Sequence, residues 1–159
     1  MIWTKQYYYF DVNRWLEERG HGAFQGGHKP ATRDDQWHHL YCCDIISMPD
    51  KWEYPWFAAW DLAFHVLPLS LVDTAFGKQQ LELMLSDTYL HPNGQIPADE
   101  WNFSDVNPPV HAWATNFSYQ LEKVRTGKSD IVWLERCFQK LLLNFTWWLN
   151  RKDRMGRNA

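Results

Sequence analysis

Cysteine is scarce and poorly spaced for chemistry. Cys42, Cys43 and Cys137 are the three in the sequence. An odd count with one adjacent pair builds no disulfide framework, and no Cys-x-x-Cys spacing offers zinc two thiolates. The histidines are His21, His28, the His38-His39 pair, His65, His91 and His111, and none stands in a His-Glu-x-x-His pattern. No metal and no cofactor are therefore expected. Long apolar runs are missing too: none approaches the ~18 residues that span a bilayer. The opening Met1-Ile2-Trp3-Thr4-Lys5-Gln6-Tyr7 lacks the basic-then-apolar layout of a secretory signal. The expectation is a cytoplasmic protein without a membrane partner. Charge of one sign is absent as well. Sixteen basic against nineteen acidic residues leave a formal charge of -3, which gives no electrostatic case for nucleic acid.

What the chain does have is aromatic rings. Eleven of its 159 residues are Trp, and aromatics make up 17% of it, so ring stacking is available well beyond what a small core needs. With 45% apolar and 22% charged residues it reads as one globular domain spanning 1–159. Flat rings fill helical cores, and they also match the apolar faces of sugars while their N–H and O–H groups serve the hydroxyls. Two clusters combine rings with acids. The first is Trp52-Glu53-Tyr54-Pro55-Trp56-Phe57-Ala58-Ala59-Trp60-Asp61. The second is Pro97-Ala98-Asp99-Glu100-Trp101-Asn102-Phe103-Ser104-Asp105-Val106-Asn107-Pro108-Pro109.

The organisation expected around these clusters is helical. Residues 1–50 carry little periodicity beyond a short helix over Val12–Arg19 and read as an irregular entry segment. From 51 to 159 four long helices follow in hairpins. The first opens at Pro55 and carries Trp56, Ala59, Trp60, Ala63 and Leu67, with Pro68 kinking or ending it. The second starts at Asp73-Thr74 and buries Leu81, Met84, Leu85 and Thr88. The third opens at Pro108-Pro109, carries Val110, Trp113, Ala114, Phe117, Leu121 and Val124 on one face, and ends at Gly127. The fourth is capped by Ser129-Asp130 and carries a stripe of Ile131, Leu134, Phe138, Leu141, Leu142, Phe145, Trp148 and Leu149. Short plain loops alternate with long decorated ones, 48–55 and 91–108, which places both clusters at one rim of an all-α bundle.

Each acid has two readings. Asp61 either favours a helix N-terminus through the dipole or acts as a general acid, its apolar surroundings keeping a proton on it. Glu53 pairs with Lys51 or Arg33, or binds sugar hydroxyls. Asp99, Glu100 and Asp105 are solvated loop acids or pocket acids, and Asp105 is also placed to cap the helix after the prolines. Trp101 and Phe103 are exposed rings that need a reason. His111, one turn into that helix, either faces the rim or is a satisfied structural histidine.

The runs Ser47-Met48-Pro49-Asp50-Lys51-Trp52-Glu53-Tyr54-Pro55-Trp56-Phe57-Ala58-Ala59-Trp60-Asp61-Leu62-Ala63-Phe64-His65 and Asp105-Val106-Asn107-Pro108-Pro109-Val110-His111-Ala112-Trp113-Ala114 resemble glycoside hydrolase family 63. The opening residues 1–7 and the run Leu142–Asp153 fit the same family. The resemblance implies an (α/α)6 barrel and inverting hydrolysis of an α-glycosidic bond in an oligosaccharide or a glucosyl or mannosyl conjugate, with no metal in the chemistry. It implies that Asp61 is the general acid and that Trp56 and Trp60 shape the sugar pocket. Glu53, Glu100, Trp101, Asp105, Asn107 and His111 would line the same pocket. The family's general base is a Glu far downstream of the proline pair, so the chain reads as the first part of such a barrel. An incomplete barrel leaves apolar helix faces uncovered, and self-association through them is a further expectation.

Overall fold

The computed structural model describes residues 4–22, 32–35, 37–48, 50–53, 56–100 and 107–152. It is mostly helical, but the all-α expectation is corrected by an antiparallel strand pair near the N-terminus. Strand β1 (Lys5–Asp11) pairs with β2 (Tyr41–Ser47) in register from Lys5 opposite Ser47 to Asp11 opposite Tyr41. Aromatic and β-branched side chains suit a half-buried pleat. In β2, Cys42 and Ile46 face the core while Tyr41, Cys43 and Ile45 face outward. The segment 1–50 is therefore not wholly irregular. Its strand pattern was masked because Tyr7-Tyr8-Tyr9-Phe10 is apolar at every position, so the alternation is one of placement and not of residue type. Helix α1 (Val12–Glu18) follows at once, with the Asp11 carboxylate accepting the Arg14 N–H at 3.1 Å as its cap.

The four long helices are present: α2 (Ala59–Ser70), α3 (Thr74–Met84), α4 (Val110–Thr126) and α5 (Ile131–Trp147), the last running into a π-helical turn, Trp148–Lys152. Their punctuation is the one the residues dictate. Asp73 caps α3 by accepting the Phe76 N–H at 3.0 Å, and Asp130 caps α5 by accepting the Trp133 N–H at 3.1 Å. Gly127 closes α4 at φ 73°, with its N–H on the Lys123 carbonyl.

Three boundaries differ from expectation. Helix α2 begins at Ala59 and not at Pro55, a residue outside the described ones, because the chain before it is extended. The Ala59 N–H binds the Ala98 carbonyl at 3.1 Å, and Ala58 bridges Asp99. Pro68 neither ends nor prevents α2, which runs on to Ser70; near a C-terminus its missing N–H costs a single bond. Thr88 lies beyond the end of α3 and is exposed.

Packing decides which helix faces turn inward. Helix α2 lies against both α3 and α4, and α5 leans on α4. The buried residues of α4 are His111, Ala114, Thr115, Ser118 and Tyr119, and those of α5 are Trp133, Cys137, Asn144 and Trp147. Much of each apolar stripe faces out: Trp113, Phe117 and Val124 on α4, Ile131, Phe138, Leu142 and Phe145 on α5, and Leu149 in the turn that follows are all exposed, while Ala114 is buried and Val110, Leu134 and Leu141 pack against the core. Lys78 joins three helices, reaching Glu122 of α4 at 3.0 Å and the Asp130 cap of α5, with its ammonium 4.8 Å from the Trp133 ring centroid. Burial works against its charge, and Asp130 and Glu122 more than offset that. Among the described residues no helix is long and apolar enough to cross a membrane.

Candidate active site

The two decorated segments meet. Besides the Ala58–Asp99 bridge, the Phe57 N–H donates to Glu100 Oε2 at 3.1 Å, and the Asn107 amide donates to the Ala98 carbonyl at 3.4 Å. This stitching sets the start of α2 and so the position of Asp61 in its first turn, half-buried. Trp60 beside it is 39% exposed, enough surface for a ligand to stack on. Trp60, Asn107 and His111 share one cleft with Pro108, Val110 and Trp147, but its volume is about 20 Å³, room for roughly one water and not for a sugar.

The remaining candidates separate. Glu100 is only 2% exposed, and Tyr8 of β1 donates a hydrogen bond to it. Burial pushes its carboxyl up to about 7. It is a buried anchor for the start of α2 and not a carboxylate open to the rim. His111 is also buried. Its Nε2–H donates to the Leu81 carbonyl at 2.9 Å, and burial pulls its pKa down to about 4. It ties α4 to α3 as a neutral ring. Glu53 is exposed in a turn whose backbone N–H groups, those of Trp52 and Glu53, are accepted by the Asp50 carboxylate. Trp56 is half-buried just before α2. Trp101 and Asp105 lie outside the described residues. Among the described residues no cluster of three His, Cys, Asp or Glu side chains is placed to hold a metal ion.

One neighbour of Asp61 went unremarked in the sequence. His65 stands four residues further on, the spacing that stacks two side chains on one helical face. Its Nδ1 is 3.1 Å from Ser47 Oγ at the end of β2. The signal available beforehand was that i,i+4 spacing alone.

A mostly helical chain whose first long helix opens on a Trp-Asp pair, fastened to the segment that carries Glu100, is compatible with part of an α-helical glycosidase. Comparison with known proteins agrees at that level. The model of the mannosylglycerate hydrolase MGH1-like glycoside hydrolase domain matches residues 54–158, and the chain belongs to that family. It is also 53% identical over 160 residues to the uncharacterized protein YMR196W of Saccharomyces cerevisiae. That alignment takes in all of this chain and 15% of the yeast protein, so the chain spans well under a fifth of the length of this relative. No solved structure matches the chain.

Proposed function

We propose that the chain forms the acid-bearing part of an inverting α-glycosidase of the family 63 type, acting on an α-linked oligosaccharide or a glucosyl or mannosyl conjugate such as mannosylglycerate. The observation that carries this is the family match over 54–158 with Asp61 in the first turn of α2, next to the half-exposed Trp60. In this reading the sugar stacks on Trp60 and Trp56. Asp61 gives its proton to the glycosidic oxygen as the bond from that oxygen to the anomeric carbon breaks. Water adds to the anomeric carbon from the opposite face and yields its proton to a second carboxylate, which in inverting enzymes lies roughly 6.5–9.5 Å from the acid.

We assign that second carboxylate to neither Glu53 nor Glu100. Glu100 is buried and already engaged by Phe57 and Tyr8, and Glu53 sits on an exposed turn. A Glu from elsewhere in a larger catalytic domain fits better, and the length of the yeast relative leaves ample room for one. The 159 residues then supply one part of that domain.

The test is hydrolysis of maltose, an α-1,2- or α-1,3-glucobiose, glucosylglycerate and mannosylglycerate by the purified chain, with Asp61→Asn alongside. The expected result is little or no turnover. A clear rate abolished by Asp61→Asn would keep Asp61 as the acid and move the base back into this chain. A rate that survives the substitution would sink the assignment of Asp61. Any product should appear first as the β-anomer in proton NMR, and the α-anomer would rule out inversion.

A second reading, a helical fragment that pairs with another copy, is favoured by the exposed faces of α4 and α5. They enclose an apolar groove of about 700 Å³ lined by Leu134, Phe138, Leu141, Leu142 and Phe145.

A further inference from the structure

We propose that His65 is a positioning residue for Asp61, held for that task by Ser47. This deepens the reading of Asp61 as the general acid and rests on it. The geometry is a chain of contacts running from α3 through β2 to α2. Gln80 of α3 is buried, and it grips the end of β2 twice, accepting the Ser47 N–H at 2.8 Å and donating to the Ile45 carbonyl at 3.0 Å. Ser47, 2% exposed, is thereby fixed, and its hydroxyl meets His65 Nδ1 at 3.1 Å. His65 then stands one helical turn from Asp61 on the same side of α2. Ser47 is too deeply buried to meet a substrate, so the arrangement is not a serine nucleophile and its base. Its end point is the Asp61 carboxyl group in the first turn of α2.

The chemical sense lies in charge. A general acid must hold a proton before it reacts, and a cation one turn away would strip it by favouring the carboxylate. Burial lowers the pKa of His65, while Asp61 is the charge that acts on it in the opposite sense. Ser47 faces the ring from β2 as a neutral hydroxyl. His111, the titratable residue of α4 buried nearest the start of that helix, directs its Nε2 to Leu81 of α3. A neutral ring with one nitrogen committed to Ser47 keeps a fixed orientation beside Asp61 and places no cation there.

The test is ring-nitrogen NMR of His65 across pH in the wild-type chain, Asp61→Asn and Ser47→Ala. Loss of the Asp61 charge should lower the His65 midpoint by about half a pH unit, the size of a charge interaction across one helical turn near water. Ser47→Ala should turn a single neutral tautomer into a mixture. Should Asp61→Asn fail to fold, the reciprocal measurement decides: the Asp61 carboxyl carbon, followed in His65→Gln, should move its midpoint from the wild-type value. A His65 titration identical in wild type and Asp61→Asn, or an Asp61 titration indifferent to His65→Gln, overturns the proposal. None of these readouts needs turnover. The pairing can therefore fail while Asp61 remains the acid, and it can hold even if the glycosidase reading is lost.

Discussion

Glu100 and His111 are two buried groups that titrate in opposite directions. For Glu100 the folded state holds its proton up to about 7, above the ordinary carboxyl value of 4.5, because the charged form is disfavoured inside the protein. Between those values the folded chain binds more protons than the unfolded one, so this group's contribution to stability falls as pH rises. The loss is on the order of 3 kcal/mol and is complete above pH 7. His111 behaves the other way. Its folded value near 4 lies below the usual 6.5, so the unfolded chain binds the proton first and stability rises with pH from 4 to 6.5. From pH 4.5 to 6.5 the two slopes oppose each other. Glu100→Gln keeps an acceptor for the Phe57 N–H and removes one of them. Urea unfolding should then show stability rising more steeply with pH in that window, by about 1.4 kcal/mol per pH unit, and a variant more stable than wild type at pH 8. Parallel curves for the two proteins would mean that Glu100 is ionised in the fold at all these pH values.

At the scale of elements, punctuation was legible and facing was not. Asp73 and Asp130 cap the helices they were expected to start, and Gly127 ends its helix, because each act is local chemistry between a side chain or backbone and the next turn. Which face of α4 or α5 turns inward is decided by neighbours far along the chain. The strong stripe through Phe138, Leu142 and Phe145 says only that this face suits burial; the face that packs on α3 and α4 is built from Trp133, Cys137 and Asn144. The site divides the same way. Asp61 and Trp60 stood out by residue type, whereas the burial of Glu100 and the Ser47–His65 contact depend on a strand pair hidden in an all-aromatic run. The turn before the second cluster shows such a long-range contact being enforced. Gly94 sits at φ 94° with its carbonyl accepting from the Asn144 amide at 2.9 Å, and a Cβ there would fall 2.3 Å from the Leu143 carbonyl oxygen of α5. Gly94→Ala combines an unfavourable backbone region with a clash against a helix, and should cost at least about 2 kcal/mol in urea unfolding. A change within about 0.5 kcal/mol, the range of an ordinary surface substitution, would mean that the turn moves freely away from α5.

Taken as a whole molecule, the chain keeps a core on one side of its helices and a second apolar surface on the other. Trp60, Phe64, Trp113 and Phe117 form a run of neighbouring rings across α2 and α4, with centroids 5.7 to 5.9 Å apart, and each ring is about two-fifths to one-half exposed. The groove of α4 and α5 adds Phe138, Leu142 and Phe145. Contiguous apolar surface on this scale drives association, since each ring removed from water adds to the stability of whatever covers it. The isolated chain should therefore form dimers that increase with concentration in sedimentation velocity. Phe138→Glu with Leu142→Glu places two charges in the groove and should return it to a monomer with unchanged helical circular dichroism. A wild-type chain that stays monomeric at the highest concentration it tolerates would show that this surface does not recognise a second copy of itself. A dimer that survives the double substitution would move the contact to the ring run on α2 and α4. Trp113→Glu should then dissociate it, and because Trp60 belongs to the same run, dimer formation and sugar stacking would compete for one surface.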